Sequence, residues 1–87
     1  MITIEQLKDV KERTAALERY LDIEGKMVQV EEEQLRTQAP GFWDDAKKAE
    51  AQMKKVKELQ KWIEGYKEVK TLADELELSF DFYKDEL

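Results

Sequence analysis

The sequence predicts an all-α fold, namely an antiparallel helical bundle with coiled-coil-like packing. Charged and hydrophobic residues each make up 41% of the 87 residues, a balance typical of helices with one solvated face. Apolar residues recur at alternating steps of three and four along most of the chain. The single proline, Pro40, separates two long helix-forming tracts, and proline disrupts a helix interior. We therefore expect residues 1–87 to form one helical domain with three main helices and room for a short fourth one at the end.

The first helix is expected over residues 4–21. Thr3 and Gln6 are spaced as a capping box, in which each side chain satisfies a free backbone N–H. The positions that should face the core step by three and four residues, as in a coiled-coil seam. They are Leu7, Val10, Thr14, Leu17 and Leu21.

Asp22 and Gly25 indicate a pause before the second helix, because aspartate favours a cap and glycine weakens a helix interior. The pause could be a kink or a turn between antiparallel helices. We favour the turn, since a small domain needs chain reversals to bury its apolar stripes.

The second helix carries a short apolar stripe and an acidic triplet. The stripe consists of Ile23, Met27 and Val30, with Val28 and Leu35 on a neighbouring line. We interpret Glu31–Glu33 as a solvated face. The alternative, a divalent-ion site, is disfavoured because three consecutive helical residues point in different directions.

A structural hinge is expected at Pro40, Phe42, Trp43 and Asp44. The helix must stop near Ala39, and Asp44 or the next aspartate can cap the following helix. The two aromatic rings are placed to wedge the corner into the core.

The third helix should run from Asp45 to about Glu77, with an apolar stripe that drifts around its axis. Ser79 could cap a short fourth helix. The first seam is Ala46, Ala49, Met53, Val56, Gln60 and Ile63, and the second is Leu59, Trp62, Tyr66, Val69, Ala73 and Leu76. On this pattern Trp62 and Tyr66 belong to the core rather than to a base-stacking platform.

Charge is unevenly distributed along the chain, whose net charge is −6. Residues 47–70 hold 8 lysines and 4 glutamates, whereas residues 1–46 hold 6 basic and 11 acidic groups. Four lysines are predicted to lie on the outer side of the third helix, and we call them the lysine stripe: Lys47, Lys54, Lys57 and Lys61. The stripe either solubilises the helix or contacts RNA phosphates.

Several classes of function are disfavoured by composition. The chain has no cysteine and no histidine, so Ser–His and Cys–His catalysis and Cys/His zinc sites are excluded. The three glycines are isolated, so no phosphate-binding loop is present. We expect no enzymatic activity, no cofactor, no small-molecule substrate and no membrane partner.

A cytoplasmic location is expected because the chain opens directly into a charged helical pattern, without a signal peptide. The last four residues, Lys84–Leu87, match an endoplasmic-reticulum retention signal, which we interpret as a coincidence.

The order of three sequence elements resembles the N-terminal helical domain of the bacterial peptide chain release factor 2 family. The elements are Leu7–Arg13 (LKDVKER), Tyr20–Glu24 (YLDIE) and Pro40–Ala46 (PGFWDDA). Their spacing fits as well, and the resemblance covers essentially the whole chain. Two residues depart from the family pattern, since Gly25 and Glu33 make the second helix less regular.

The resemblance implies that these residues form the first part of a longer release factor. The family decodes stop codons with a Ser-Pro-Phe tripeptide and hydrolyses peptidyl-tRNA with a Gly-Gly-Gln loop, and neither motif occurs here. The implied role is docking on the ribosome, near the stalk base of the large subunit, with the lysine stripe as a contact. The alternative is a free-standing coiled-coil or bundle protein, and self-association of long amphipathic helices is a further expectation.

Overall fold

A computed structural model describes residues 2–84, which form three α-helices and no strand. Helix α1 spans Ile4–Leu21, α2 spans Ile23–Arg36 and α3 spans Ala46–Lys84. A single 3₁₀ turn, Phe42–Asp44, lies at the corner between α2 and α3. The all-α prediction is confirmed.

The helices form a long, thin antiparallel hairpin with extents of 64 × 21 × 15 Å. Helices α1 and α2 lie end to end along α3, which is 39 residues long. At the far end, Lys11 Nζ lies 3.2 Å from Glu77 Oε1, and near the corner Lys55 Nζ lies 3.3 Å from Glu33 Oε1. The chain therefore reverses once, at the corner.

The reversal expected at Asp22 is wrong, because this residue makes a kink. Asp22 adopts a left-handed conformation, with φ 50° and ψ 56°, that ends α1 and starts α2 within one residue. Its Oδ1 accepts a hydrogen bond of 3.3 Å from the backbone N–H of Gly25. Both helices then pack against α3 and hardly against each other. A 39-residue partner is long enough to cover the apolar stripes of both, so no second reversal is needed.

The kink shifts the phase of the buried positions between α1 and α2 by about two residues. In α1, the five predicted seam residues from Leu7 to Leu21 are all buried or half-buried, as expected. If the spacing of these seam residues continued unchanged into α2, Val28 and Leu35 would be buried, but they are 56% and 59% exposed. The buried positions of α2 are instead Ile23 and Glu33, so the prediction of a fully solvated acidic face is wrong at Glu33.

The corner is built by a type II turn over residues 39–42. The Phe42 N–H donates to the Ala39 carbonyl at 3.1 Å, and Gly41 holds φ 80° and ψ 0° after Pro40. Pro at the second turn position and Gly at the third are the residues that this turn requires. The chain reverses direction at this turn, between the end of α2 and the start of α3.

Of the two aspartates expected as caps of α3, Asp45 is the one that caps it, since its Oδ1 accepts from the N–H groups of Lys47 and Lys48 at 3.1 and 3.2 Å. One detail of the corner differs from the prediction. Trp43 does not wedge into the core, because it is 63% exposed and packs edge-on against Phe42 with ring centroids 4.9 Å apart. Phe42 alone is half-buried.

Helix α3 buries one line of residues instead of two displaced seams. The members step by three and four as far as Tyr66 and then by seven to Ala73, and all are buried or half-buried: Ala49, Gln52, Val56, Leu59, Ile63, Tyr66 and Ala73. Trp62 and Val69 of the predicted second seam are 48% and 41% exposed, so Trp62 is not a core residue. The helix continues through Ser79, so the described residues contain no fourth helix. Three of the four residues of the Lys84–Leu87 string lie outside the described part.

Candidate nucleic-acid interface

The lysine stripe lies on the outer surface of α3, as the sequence predicts. Lys47, Lys54, Lys57 and Lys61 are all exposed. The buried residues Ala49, Val56 and Ile63 repeat with the same seven-residue spacing, two positions further along. Two positions on an α-helix correspond to a rotation of about 200°, so most of the stripe faces away from α1 and α2.

The stripe forms few contacts within the protein. Lys54 Nζ lies 3.6 Å from Glu50 Oε1, but both side chains are more than 70% exposed, so the pair contributes little to stability. Further along the same line of α3, Glu68 and Glu75 take the positions of the lysines. Positive charge on this face is therefore confined to the N-terminal half of the helix.

A second basic feature, beside the corner, was not predicted. Arg36, Lys48 and Lys55 line an open groove together with the ring of Phe42. The seven-residue spacing of Lys48 and Lys55 was a signal in the sequence, but Arg36 joins them only because the chain reverses between α2 and α3.

The charge of this groove is partly neutralised by Glu33, which is only 4% exposed. Gln52 Nε2 donates to the Glu33 carboxylate and, at 3.2 Å, to its backbone carbonyl. Lys55 Nζ lies 3.3 Å and Arg36 Nη1 3.7 Å from Glu33 Oε1. The Gln52 hydrogen bond, together with Lys55 and Arg36, holds the pKa of Glu33 below its usual range, although burial alone would raise it. Two of the three groove cations therefore already have an anionic partner.

Tyr66 forms a polar contact between α3 and α1. Its hydroxyl donates a hydrogen bond of 2.9 Å to Glu18 Oε2 on α1. Burial raises the pKa of the Tyr66 phenol, and the Glu18 carboxylate raises it further. The hydroxyl thus stays protonated and links α1 to α3, which confirms Tyr66 as a core residue.

The remaining chemistry of the described residues is limited. Within residues 2–84, no group of three or more Asp, Glu, His or Cys side chains is arranged to hold a metal ion. Glu31 and Glu32 point to solvent while Glu33 points inward, so the acidic triplet does not converge. None of the helices formed by these residues is long and apolar enough to span a bilayer.

Comparison with known proteins identifies a distant similarity that covers most of the chain. Over 72 residues, or 83% of its length, the chain is 29% identical to "Peptide chain release factor 2" from Aromatoleum aromaticum. The matched segment makes up 20% of that relative, so the chain spans about a fifth of its length. No protein-family model matches the chain, and no solved structure does. The resemblance to peptide chain release factor 2 that the three sequence elements indicate is therefore confirmed, as a weak homology.

Proposed function

We propose that this chain is the N-terminal region of a bacterial translation termination factor and that it docks the factor on the ribosome. The observation that carries the proposal is the similarity to a peptide chain release factor 2 over 83% of the chain. The aligned region is a minor part of that relative, and the decoding and hydrolysis motifs expected of the family are absent from these 87 residues. The proposed role is therefore binding and positioning, without catalysis. It implies a cytoplasmic location, because translation takes place there.

The proposed contact surface is the lysine stripe, facing ribosomal RNA or protein near the stalk base of the large subunit. Its lysines are exposed and lie together on the basic half of α3. Lysine ammonium groups contact phosphates through charge and without reading sequence, which suits a docking surface on folded RNA. The net charge of −6 opposes approach of the rest of the molecule to RNA, so the binding orientation follows from this local positive face.

The test is binding of the 87-residue chain to ribosomes across a salt series. The double variant Lys54→Gln, Lys61→Gln removes two stripe charges, and Lys8→Gln, Lys67→Gln removes two exposed charges elsewhere. Each lysine that contacts a phosphate contributes about one unit to the slope of log affinity against log salt. We expect the stripe variant to bind more weakly and to lose about two units of slope.

The matched control should retain the parent affinity and slope. Equal losses in the two variants, or binding that does not depend on salt, would contradict a phosphate-contacting stripe. Failure of the parent chain to bind at all would argue against docking by this region itself.

A second candidate function is a free-standing coiled-coil or bundle protein that associates with other helices. It is favoured by the exposed apolar residues of α3, which step by three and four as a helix-pairing surface does. The gene sequence beyond Leu87 separates the two candidates. A reading frame that continues to a Gly-Gly-Gln motif supports the termination factor, whereas a stop codon directly after Leu87 supports the free-standing protein.

A further inference from the structure

The two halves of the hairpin differ in how their helices pack. In the corner half α2 packs against α3, and in the far half α1 packs against α3. Helix α1 has 18 residues and α2 has 14, but α1 makes fewer contacts with α3. The buried residues of α1 are Leu7 and Thr14. The Thr14 hydroxyl donates to the Val10 carbonyl of its own helix at 2.8 Å, so it does not link α1 to α3.

A cleft of about 270 Å³ lies between α1 and α3 in the far half. Its lining includes the small side chains of Thr14 and Ala15 on α1 and of Ala73 on α3. Protein interiors are normally close-packed, and an unfilled space forfeits the dispersion contacts that would hold its two sides together. The packing of α1 on α3 is therefore weaker than the length of α1 would allow.

Polar contacts also hold the far half less firmly than the corner half. Two of them join α1 to α3. The Tyr66 hydroxyl donates to Glu18, and Lys11 forms an ion pair with Glu77. The side chains of that ion pair are 52% and 36% exposed, so it contributes little to stability. In the corner half, by contrast, the buried carboxylate of Glu33 has two partners on α3.

A single residue, Asp22, connects the two halves, in a left-handed conformation that aspartate tolerates. Rotation about its N–Cα bond would move α1 as a body. The Asp22 N–H would keep its bond to the Arg19 carbonyl, which moves with α1. The bonds that the N–H groups of Gly25 and Lys26 donate to Asp22 would stay with α2. The bond from Lys26 Nζ to the Leu21 carbonyl crosses this point, and water can replace it.

We propose that α1 opens and closes as a unit about Asp22, while α2 and α3 stay packed in the corner half. Opening breaks the contact between Tyr66 and Glu18 and uncovers the side of α3 that α1 covers. Hinges are formed by a few residues at the ends of elements that can change φ and ψ, and Asp22 is such a residue. The inference concerns the hairpin alone and does not rest on the proposed docking to the ribosome.

The test is native-state hydrogen exchange of the intact chain, followed amide by amide by NMR. An undocked helix of 18 residues is marginal in water, so the amides of α1 exchange whenever α1 is open. We expect these amides to share one protection factor. It should be at least about tenfold lower than that of the amides in the middle of α2 and in residues 49–63 of α3.

Two matched variants separate opening of α1 from unfolding of the whole hairpin. Val56→Ala makes a cavity in the corner half, where Val56 is 2% exposed. It should accelerate exchange in the corner half and leave the amides of α1 unchanged, because Val56 stays packed when α1 opens. Tyr66→Phe keeps the ring and removes the hydroxyl. It should accelerate exchange in α1 about fivefold, as expected for the loss of one hydrogen bond.

Two outcomes would overturn the proposal. One is equal protection of α1 and the corner half, with Val56→Ala accelerating both by the same factor, since the hairpin would then open only as one unit. The other is protection that declines steadily along α1 toward Ile4 without a common value, which would show fraying of the helix end instead of a hinge at Asp22.

Discussion

Glu33 shows how one residue sets both the alignment and the charge of the hairpin. It occupies an inward position of α2 where an apolar residue would ordinarily pack, and it contacts Gln52 and Lys55 of α3 and Arg36 of its own helix. A buried carboxylate is tolerated only where such partners are present, and sliding α2 along α3 by one turn would separate it from Gln52 and Lys55. We attribute the register of the corner half of the hairpin to this cluster.

The first prediction concerns acid stability. The pKa of Glu33 lies below its usual range in the folded chain, so its ionised form stabilises the hairpin at neutral pH. That contribution is complete above the pKa that Glu33 has in the unfolded chain. It is lost as the pH falls through the lower pKa that Glu33 has in the folded chain. We expect Glu33→Gln to lower the melting temperature at neutral pH, and its difference from the parent to shrink in acid. The measurement is thermal unfolding followed by circular dichroism.

Glu32→Gln is the matched control for this prediction, because Glu32 is exposed and adjacent in sequence. It should melt like the parent at each pH. A Glu33→Gln variant whose difference from the parent stays constant down to strongly acidic pH would contradict the role assigned to the carboxylate.

At the scale of the element, the kink at Asp22 decides which faces of α1 and α2 are buried. The cap formed by the Asp22 side chain occupies the space beside Gly25, where an added Cβ would lie 2.1 Å from Asp22 Oδ2. Gly25, which looked like an irregularity in the sequence, therefore makes room for the cap that starts α2.

The second prediction compares the two helical glycines. Gly65→Ala should raise the free energy of unfolding by about 0.8 kcal/mol, because alanine favours the helix and the site is open. Gly25→Ala gains the same propensity but displaces the Asp22 cap, which is worth about 1 kcal/mol. Its net effect should be near zero. Urea unfolding of the two variants and of the parent chain measures both differences.

An equal gain in both variants would show that the Asp22 cap contributes nothing. Asp22→Asn should retain stability close to that of the parent, because asparagine also caps helices and tolerates a left-handed conformation.

Much of this architecture could be predicted from local pattern. The capping box at Thr3 and the seam of α1 depend only on residues a few positions apart, and so does the Pro40–Gly41 turn. The burial of Glu33 could not be predicted, because it depends on the phase shift at Asp22 and on partners 19 and 22 residues away. The exposure of Trp43 and Trp62 likewise depends on which faces the hairpin covers.

The candidate interface, too, could be predicted only in part from the sequence. The exposed position of the lysine stripe follows from its seven-residue spacing against the buried line of α3. The groove of Arg36, Lys48 and Lys55 exists only once the chain has reversed, so no local pattern reveals it.

At the scale of the whole molecule, a single reversal produces a slender hairpin instead of a compact bundle. With extents of 64 × 21 × 15 Å, every buried residue is close to solvent, and no side chain among residues 2–84 is less than 2% exposed. The thin shape leaves the outer faces of α3 uncovered, and the lysine stripe lies there.

The most direct test of this architecture is the distance between spin labels attached at Lys8→Cys and Lys47→Cys, in a small fraction of labelled chain mixed with unlabelled chain. In the hairpin, the start of α1 lies beside the end of α3, as the contact between Lys11 and Glu77 shows. The labels should then be about 45 Å apart, since some 30 residues of α3 separate the two levels. In a bundle that reverses at Asp22 as well, α1 would return to the start of α3, and a distance under about 20 Å would contradict the account.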